Sequence, residues 1–165
     1  MTIKVSIIDD HPLATNGISN MLKEYPEINI VGIHNNAESL LEQLSQDEPD
    51  ILLLDIILRG ASGKDLVPII KNKFPKVKII ALTSLDAPTM VSGMMRRGCK
   101  GYLLKDTDQQ TLYDAIISVA EGNEFIEPSL KEKMVQNLFN FSNNTNSEKN
   151  IPEITLREKE ILQLI

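Results

Sequence analysis

Over the first 123 residues, short apolar runs rich in β-branched residues alternate five times with segments of helical periodicity. That rhythm leaves very few folds open. Ile3–Ile8 reads as a buried strand that ends at an acidic pair. Ile28–Ile33, Ile51–Leu54, Val77–Leu82 and Gly101–Leu104 read as four more strands. Ile51–Leu54 is apolar throughout, the pattern of a strand covered on both faces. Between the strands, apolar residues recur at helical spacing. The sets are Ala14, Gly17, Ile18 and Met21; Ala37, Leu40, Leu41 and Leu44; Leu66, Ile69 and Ile70; and Val91, Met94 and Met95. Gly98 ends the fourth helix, and Thr107 with Gln110 reads as a capping box for a fifth, carrying Leu112, Ala115, Ile116 and Val119. Strands alternating with helices predict an α/β fold, a doubly wound five-stranded parallel sheet. Right-handed crossovers leave few topologies, among them strand order 2-1-3-4-5, with a site at the carboxyl ends of the strands.

After residue 123 the pattern changes. Ser129 and Glu132 predict a capped helix bearing Leu130, Met134, Val135 and Leu138. Ser142–Asn150 has no apolar residue and reads as a linker. Thr155 and Glu158 predict a third capping box, opening a helix with Ile161, Leu162 and Ile165. The predicted division is 1–123, the α/β domain; 124–150, a helix and linker; and 151–165, the first helix of a further domain.

The residues that carry chemistry stand at strand ends. Asp9 and Asp10 follow the first strand, Asp55 the third, Thr83 the fourth and Lys105 the fifth. Alone, each has an ordinary explanation. An aspartate after a strand is commonly a turn or cap residue, and a lysine there is commonly solvated. Together, the proposed topology brings them to one edge. Three neighbouring carboxylates resist full ionisation, and a hard divalent cation with oxygen ligands, such as Mg²⁺, removes the conflict. Lys105 and the Thr83 hydroxyl then stand ready to stabilise charge on a transferring phosphoryl group, with an Asp55 oxygen as nucleophile.

Ile7-Ile-Asp-Asp-His-Pro12, Leu53-Leu-Asp-Ile-Ile57, Ala81-Leu-Thr-Ser84 and Gly101-Tyr-Leu-Leu-Lys-Asp-Thr107 resemble the response-regulator receivers of two-component systems, whose fold is flavodoxin-like. The first and last segments are most similar to the NarL/FixJ subfamily. Thr155-Leu-Arg-Glu-Lys-Glu-Ile-Leu-Gln-Leu-Ile165 resembles the opening of that subfamily's LuxR-type helix-turn-helix domain. The resemblance implies that Asp55 is the phosphoacceptor, that Asp9, Asp10, Asp55 and the Ile57 backbone carbonyl hold Mg²⁺, and that Lys105 contacts the phosphoryl group. It implies Thr83 as the switch hydroxyl and Tyr102 as the switch aromatic, turning inward when the hydroxyl moves. Asp106 stands where many receivers have proline.

It further implies a sensor histidine kinase as partner, a homodimer on phosphorylation, and DNA binding through the complete C-terminal domain of a parent protein. The reading helix lies outside these residues in that pattern, so this chain alone is expected not to bind specific DNA. The net charge of −6 agrees.

The expected role is a signalling switch that catalyses its own phosphorylation and dephosphorylation, not an enzyme acting on other substrates. An aspartyl phosphatase of the haloacid-dehalogenase type wants an acid two residues after the nucleophile, where Ile57 stands. There is no glycine-rich phosphate loop of the nucleotide-binding kind. The complete acid, hydroxyl and lysine set argues against an inert scaffold. No apolar run approaches membrane-spanning length, and a cytoplasmic protein is expected. Cys99 is the only cysteine and is expected to pack as a small apolar residue; His11 is expected to be an exposed loop histidine without a role in proton transfer.

Overall fold

A computed structural model describes residues 1–144 and 156–163. Six parallel strands form one sheet: β1 (Ile3–Ile8), β2 (Ile28–His34), β3 (Ile51–Leu54), β6 (Lys78–Thr83), β7 (Gly101–Leu104) and β8 (Phe125–Ile126), in the order β2-β1-β3-β6-β7-β8. Its first five members stand in the expected order. The sixth, β8, adds to the edge by pairing Phe125 with Gly101 and Ile126 with Tyr102. Two residues are too few to show periodicity, so nothing in the pattern marks this strand. A two-stranded hairpin of β4 (Ile57–Leu58) and β5 (Ala61–Ser62) follows β3.

The helices are α1 (Pro12–Leu22), α2 (Ala37–Gln46), α3 (Gly63–Lys73), α4 (Pro88–Arg97), α5 (Gln109–Ala120), α6 (Pro128–Asn144) and α7 (Leu156–Gln163). They cover both faces of the sheet, giving two cores. One, with Val5, Ile7, Leu53 and Leu103, packs against Ile18 and Leu22 of α1 and Leu112, Ala115, Ile116 and Val119 of α5. The other, with Ile8, Leu52, Leu54 and Ala81, packs against α2, α3 and α4. Alternate residues of one strand thus serve opposite faces, which explains why Ile51–Leu54 carries no polar residue: all four are buried.

Several local expectations shift. In α1 the buried stripe is Thr15, Ile18, Ser19 and Leu22, while Ala14, Gly17 and Met21 are half-buried, Met21 packing against the core. Thr15 fits because its hydroxyl donates to the Pro12 carbonyl at 3.0 Å. In α3, Val67 is buried and Ile69 is exposed. Helix α5 is capped by Asp108, not Thr107. The Asp108 carboxylate accepts both the N–H and the hydroxyl of Thr111, two bonds that a threonine cap does not make. Helix α6 starts at Pro128, where a missing N–H costs nothing, and Ser129 donates to Glu127 instead of capping. It runs through Ser142 to Asn144, so these residues of the expected linker are helical; the linker's remainder, the Thr155 cap and Ile165 lie outside the described residues.

Helix α4 ends as expected at Gly98, whose φ of 115° only glycine adopts without strain. Met94 and Met95 fill core. Leu130 and Met134 of α6 join the core beneath α4, and α7 packs on α4, burying Ile161. No helix among the described residues is long and apolar enough to cross a membrane.

Candidate functional site

Parallel strands deliver their C-terminal residues to one edge, and β1, β3, β6 and β7 are neighbours. Asp9, Asp55, Thr83 and Lys105 accordingly converge. All but Lys105 are almost completely buried, and its side chain is only 19% exposed. Lys105 Nζ bridges the two acids, 2.7 Å from Asp55 Oδ2 and 2.6 Å from Asp9 Oδ2. Asp55 Oδ1 accepts the Ile57 N–H at 3.0 Å. The Asp55 carboxylate is therefore held at both oxygens.

Burial pushes the Asp55 carboxyl above its ordinary range, against the opposing pull of Lys105. Burial also works against the charge on Lys105, but its bonds to Asp55 and Asp9 outweigh it, and the ammonium is held more firmly than usual.

Asp10 extends the cluster. One of its oxygens meets the side-chain Nε of Arg59 at 3.2 Å, on the loop inside the hairpin. The other lies 3.1 Å from His11 Nδ1, which is also 3.1 Å from Asp9 Oδ1. Asp9, Asp10, His11 and Asp55 each offer one ligand atom, all within 4.8 Å of one another. Asp9 Oδ2 is compensated by Lys105, whereas Asp10 Oδ1 is buried and receives no hydrogen bond. Such atoms are costly unless a cation compensates them. Their oxygen chemistry, beside a lysine that neutralises only part of the charge, fits a divalent ion. The acidic pocket thus offers a set of ligand atoms for a metal.

Sequence reasoning overlooked Arg59 and the contacts of His11. Both lie on loops, where no periodicity tells a side chain's direction.

Thr83 is fully buried, and its Oγ1 accepts the Leu85 N–H at 3.3 Å. Tyr102 is also fully buried, with its hydroxyl donating to the Leu85 carbonyl at 2.7 Å. The ring expected to turn inward is already inside. Lys105–Asp106 is a trans peptide, since no cis bond occurs among the described residues.

A family model described as the response regulator receiver domain matches residues 5–117. The transcriptional regulatory protein DegU of Brevibacillus brevis is 30% identical over 99% of this chain and 74% of its own length. The nitrate/nitrite response regulator protein NarL of Escherichia coli strain K12 is 29% identical over 98% of this chain and 74% of its own. Among solved structures, the isolated receiver domain of RcsB from Salmonella enterica serovar Typhimurium, with phosphomimetic BeF3⁻, superposes with a TM-score of 0.75. It is 27% identical and covers 80% of this chain and 98% of that one.

Proposed function

Because this chain belongs to the response regulator receiver family, we propose that Asp55 is its phosphoacceptor and takes a phosphoryl group from a sensor histidine kinase with the help of Mg²⁺. The family role is phosphorylation-dependent control of transcription by NarL- and DegU-type regulators. The observation that carries the assignment is the Lys105 ammonium seated between Asp55 and Asp9 at the carboxyl edge of the sheet.

In this reading an Asp55 oxygen attacks phosphorus in line, and the P–N bond of the donor imidazole breaks as the O–P bond forms. Asp9, Asp10, Asp55 and the Ile57 backbone carbonyl would hold Mg²⁺, which when bound neutralises charge on the phosphoryl oxygens. The Ile57 N–H orients the nucleophile. Lys105 already contacts Asp55 and follows the charge to the phosphoryl group. The Thr83 hydroxyl binds another phosphoryl oxygen.

The same contacts support a switch. Thr83 Oγ1 holds the Leu85 N–H, and the Leu85 carbonyl holds Tyr102. A hydroxyl that turns to a phosphoryl oxygen gives up Leu85, and Leu85 passes the change to Tyr102. Tyr102 belongs to the same core as Val91, Leu130, Met134 and Ile161, so the effect reaches α4, α6 and α7. We divide the chain accordingly into a receiver (1–123), a helix and linker (124–150) and the start of a LuxR-type helix-turn-helix domain (151–165). Its docked helix is released or re-paired on phosphorylation to control DNA binding by the parent protein. The signalling role includes self-catalysed phosphorylation and dephosphorylation in the cytoplasm.

Incubation with acetyl phosphate tests the reading. Intact-protein mass spectrometry is expected to show one phosphoryl group per chain, only when Mg²⁺ is present. Labelling in excess chelator at the same rate would refute it. For the switch, Thr83→Ala is expected to accept the label while losing its effect on hydrogen exchange in α4 and α7. Equal phosphate-induced exchange in wild type and variant would break the proposed coupling.

A further inference from the structure

His11 has no part in the chemistry above, yet the fold aims its ring at the metal-facing oxygens. The backbone fixes the residue: its N–H donates to Asp9 Oδ1 at 2.8 Å, and it immediately precedes α1. The oxygens of the acidic pair are divided between partners. Asp9 Oδ2 faces Lys105 and Asp10 Oδ2 faces Arg59, while both Oδ1 atoms lie 3.1 Å from His11 Nδ1. The Asp9 and Asp10 side chains are 2% and 7% exposed, and Asp10 Oδ1 receives no hydrogen bond.

Ligands at about 2.1 Å from one ion stand about 3.0 Å apart at adjacent octahedral positions and about 3.4 Å apart in a tetrahedron. The observed 3.1 Å separations fall in that interval. The two edges from His11 Nδ1 thus suit an ion shared with Asp9 Oδ1 and Asp10 Oδ1, while Lys105 occupies the other Asp9 oxygen, Oδ2.

We propose that His11 is a nitrogen ligand of this site for borderline divalent ions of the zinc class, and that Mg²⁺ does not use it. The proposal rests on the reading of Asp9 and Asp10 as metal ligands. Imidazole suits Zn²⁺, whereas Mg²⁺ prefers oxygen and keeps water. The ring is 56% exposed, so in the Nε2–H tautomer the proton faces solvent and the Nδ1 lone pair faces the acids. The chain has one other histidine, His34, and its one cysteine is buried, so competing nitrogen and sulfur sites are few.

Calorimetric titration of the tag-free chain with ZnCl₂ and MgCl₂ tests this in wild type, His11→Ala and His34→Ala. His11→Ala is expected to weaken Zn²⁺ by about tenfold or more, with Mg²⁺ affinity unchanged and both ions unaffected in His34→Ala. In ¹⁵N-labelled wild type, Zn²⁺ is expected to shift the His11 Nδ1 resonance, and Mg²⁺ is not. Equal weakening of both ions, unchanged Zn²⁺ affinity, or a static Nδ1 resonance at Zn²⁺ saturation would overturn the His11 role while leaving the carboxylate site standing. Failure of wild type to bind Mg²⁺ would overturn the carboxylate site, and this proposal with it.

Discussion

Asp55→Asn is expected to abolish phosphoryl uptake from acetyl phosphate while leaving the fold intact. Asparagine preserves the shape and keeps an oxygen to accept the Ile57 N–H, but it is not a carboxylate nucleophile. The stability of the variant carries a second, independent signature. Burial raises the Asp55 pKa above its ordinary 3.8 despite the bond from Lys105. A raised folded pKa means that folding favours the protonated acid. That favourable contribution is fully present below pH 3.8 and is lost as pH rises through the folded value. At neutral pH the ionised side chain therefore costs stability, and a neutral isostere removes the cost. Without metal, the variant is expected to melt at or above the wild-type temperature. The gap is expected to close as the pH falls towards 3.8. Thermal melts at several pH values check the sign, and a variant less stable at pH 7 than at pH 4, relative to wild type, would contradict it.

Gly63→Ala is expected to be among the most damaging single-methyl changes in the receiver. Gly63 opens α3, and its N–H donates to the Ile56 carbonyl at 2.9 Å. A Cβ there would lie 2.5 Å from the Asp55 carbonyl oxygen and 2.7 Å from the Ile56 Cα. Both are backbone atoms, so no rotamer relieves the clash. Either α3 retreats from the sheet or the chain carrying Asp55 moves. The expected loss is about 2–3 kcal/mol, the upper part of the overpacking range, read as a lower urea midpoint. Labelling by acetyl phosphate is expected to slow as well, because Asp55 itself is displaced. Gly17→Ala is the matched control. It lies within α1 with nothing inside 4 Å of the added carbon, and alanine there is expected to stabilise by about 0.5–1 kcal/mol. A Gly63→Ala protein as stable as wild type would refute the packing argument.

Strand β3 was legible because burial on both faces leaves a continuous apolar run, the other main strands because short β-branched runs alternate with helical spacing, and the site followed from them. Once β1, β3, β6 and β7 are parallel neighbours, their terminal Asp9, Asp55, Thr83 and Lys105 have nowhere else to go. What escaped the pattern depends on contacts between distant segments. Strand β8 exists because Phe125 and Ile126 meet an open edge at Gly101 and Tyr102. Asp108 displaces Thr107 as the cap of α5 because Thr111 offers it a hydroxyl as well as an N–H. His11 and Arg59 reach the acids through loop paths that periodicity does not encode. Ile161 was legible as an apolar face in need of a partner, but only the packing of α7 on α4 supplies that partner.

The docking of α6 and α7 also bears on output. In the receiver's own core, Tyr102 lies among residues contributed by both helices, and Lys133 of α6 pairs with Asp86 just before α4. The surface that would respond to a movement of Thr83 is therefore already occupied by the chain's C-terminal part.

The claim that Asp55 is the phosphoacceptor has one direct measurement. Borohydride reduces an aspartyl phosphate to homoserine, which marks the acceptor covalently. After labelling with acetyl phosphate and Mg²⁺, reduction, proteolysis and tandem mass spectrometry should place homoserine at position 55 and nowhere else. Homoserine at Asp9 or Asp10, or a phosphoryl group that survives reduction on a hydroxyl residue, would contradict the account.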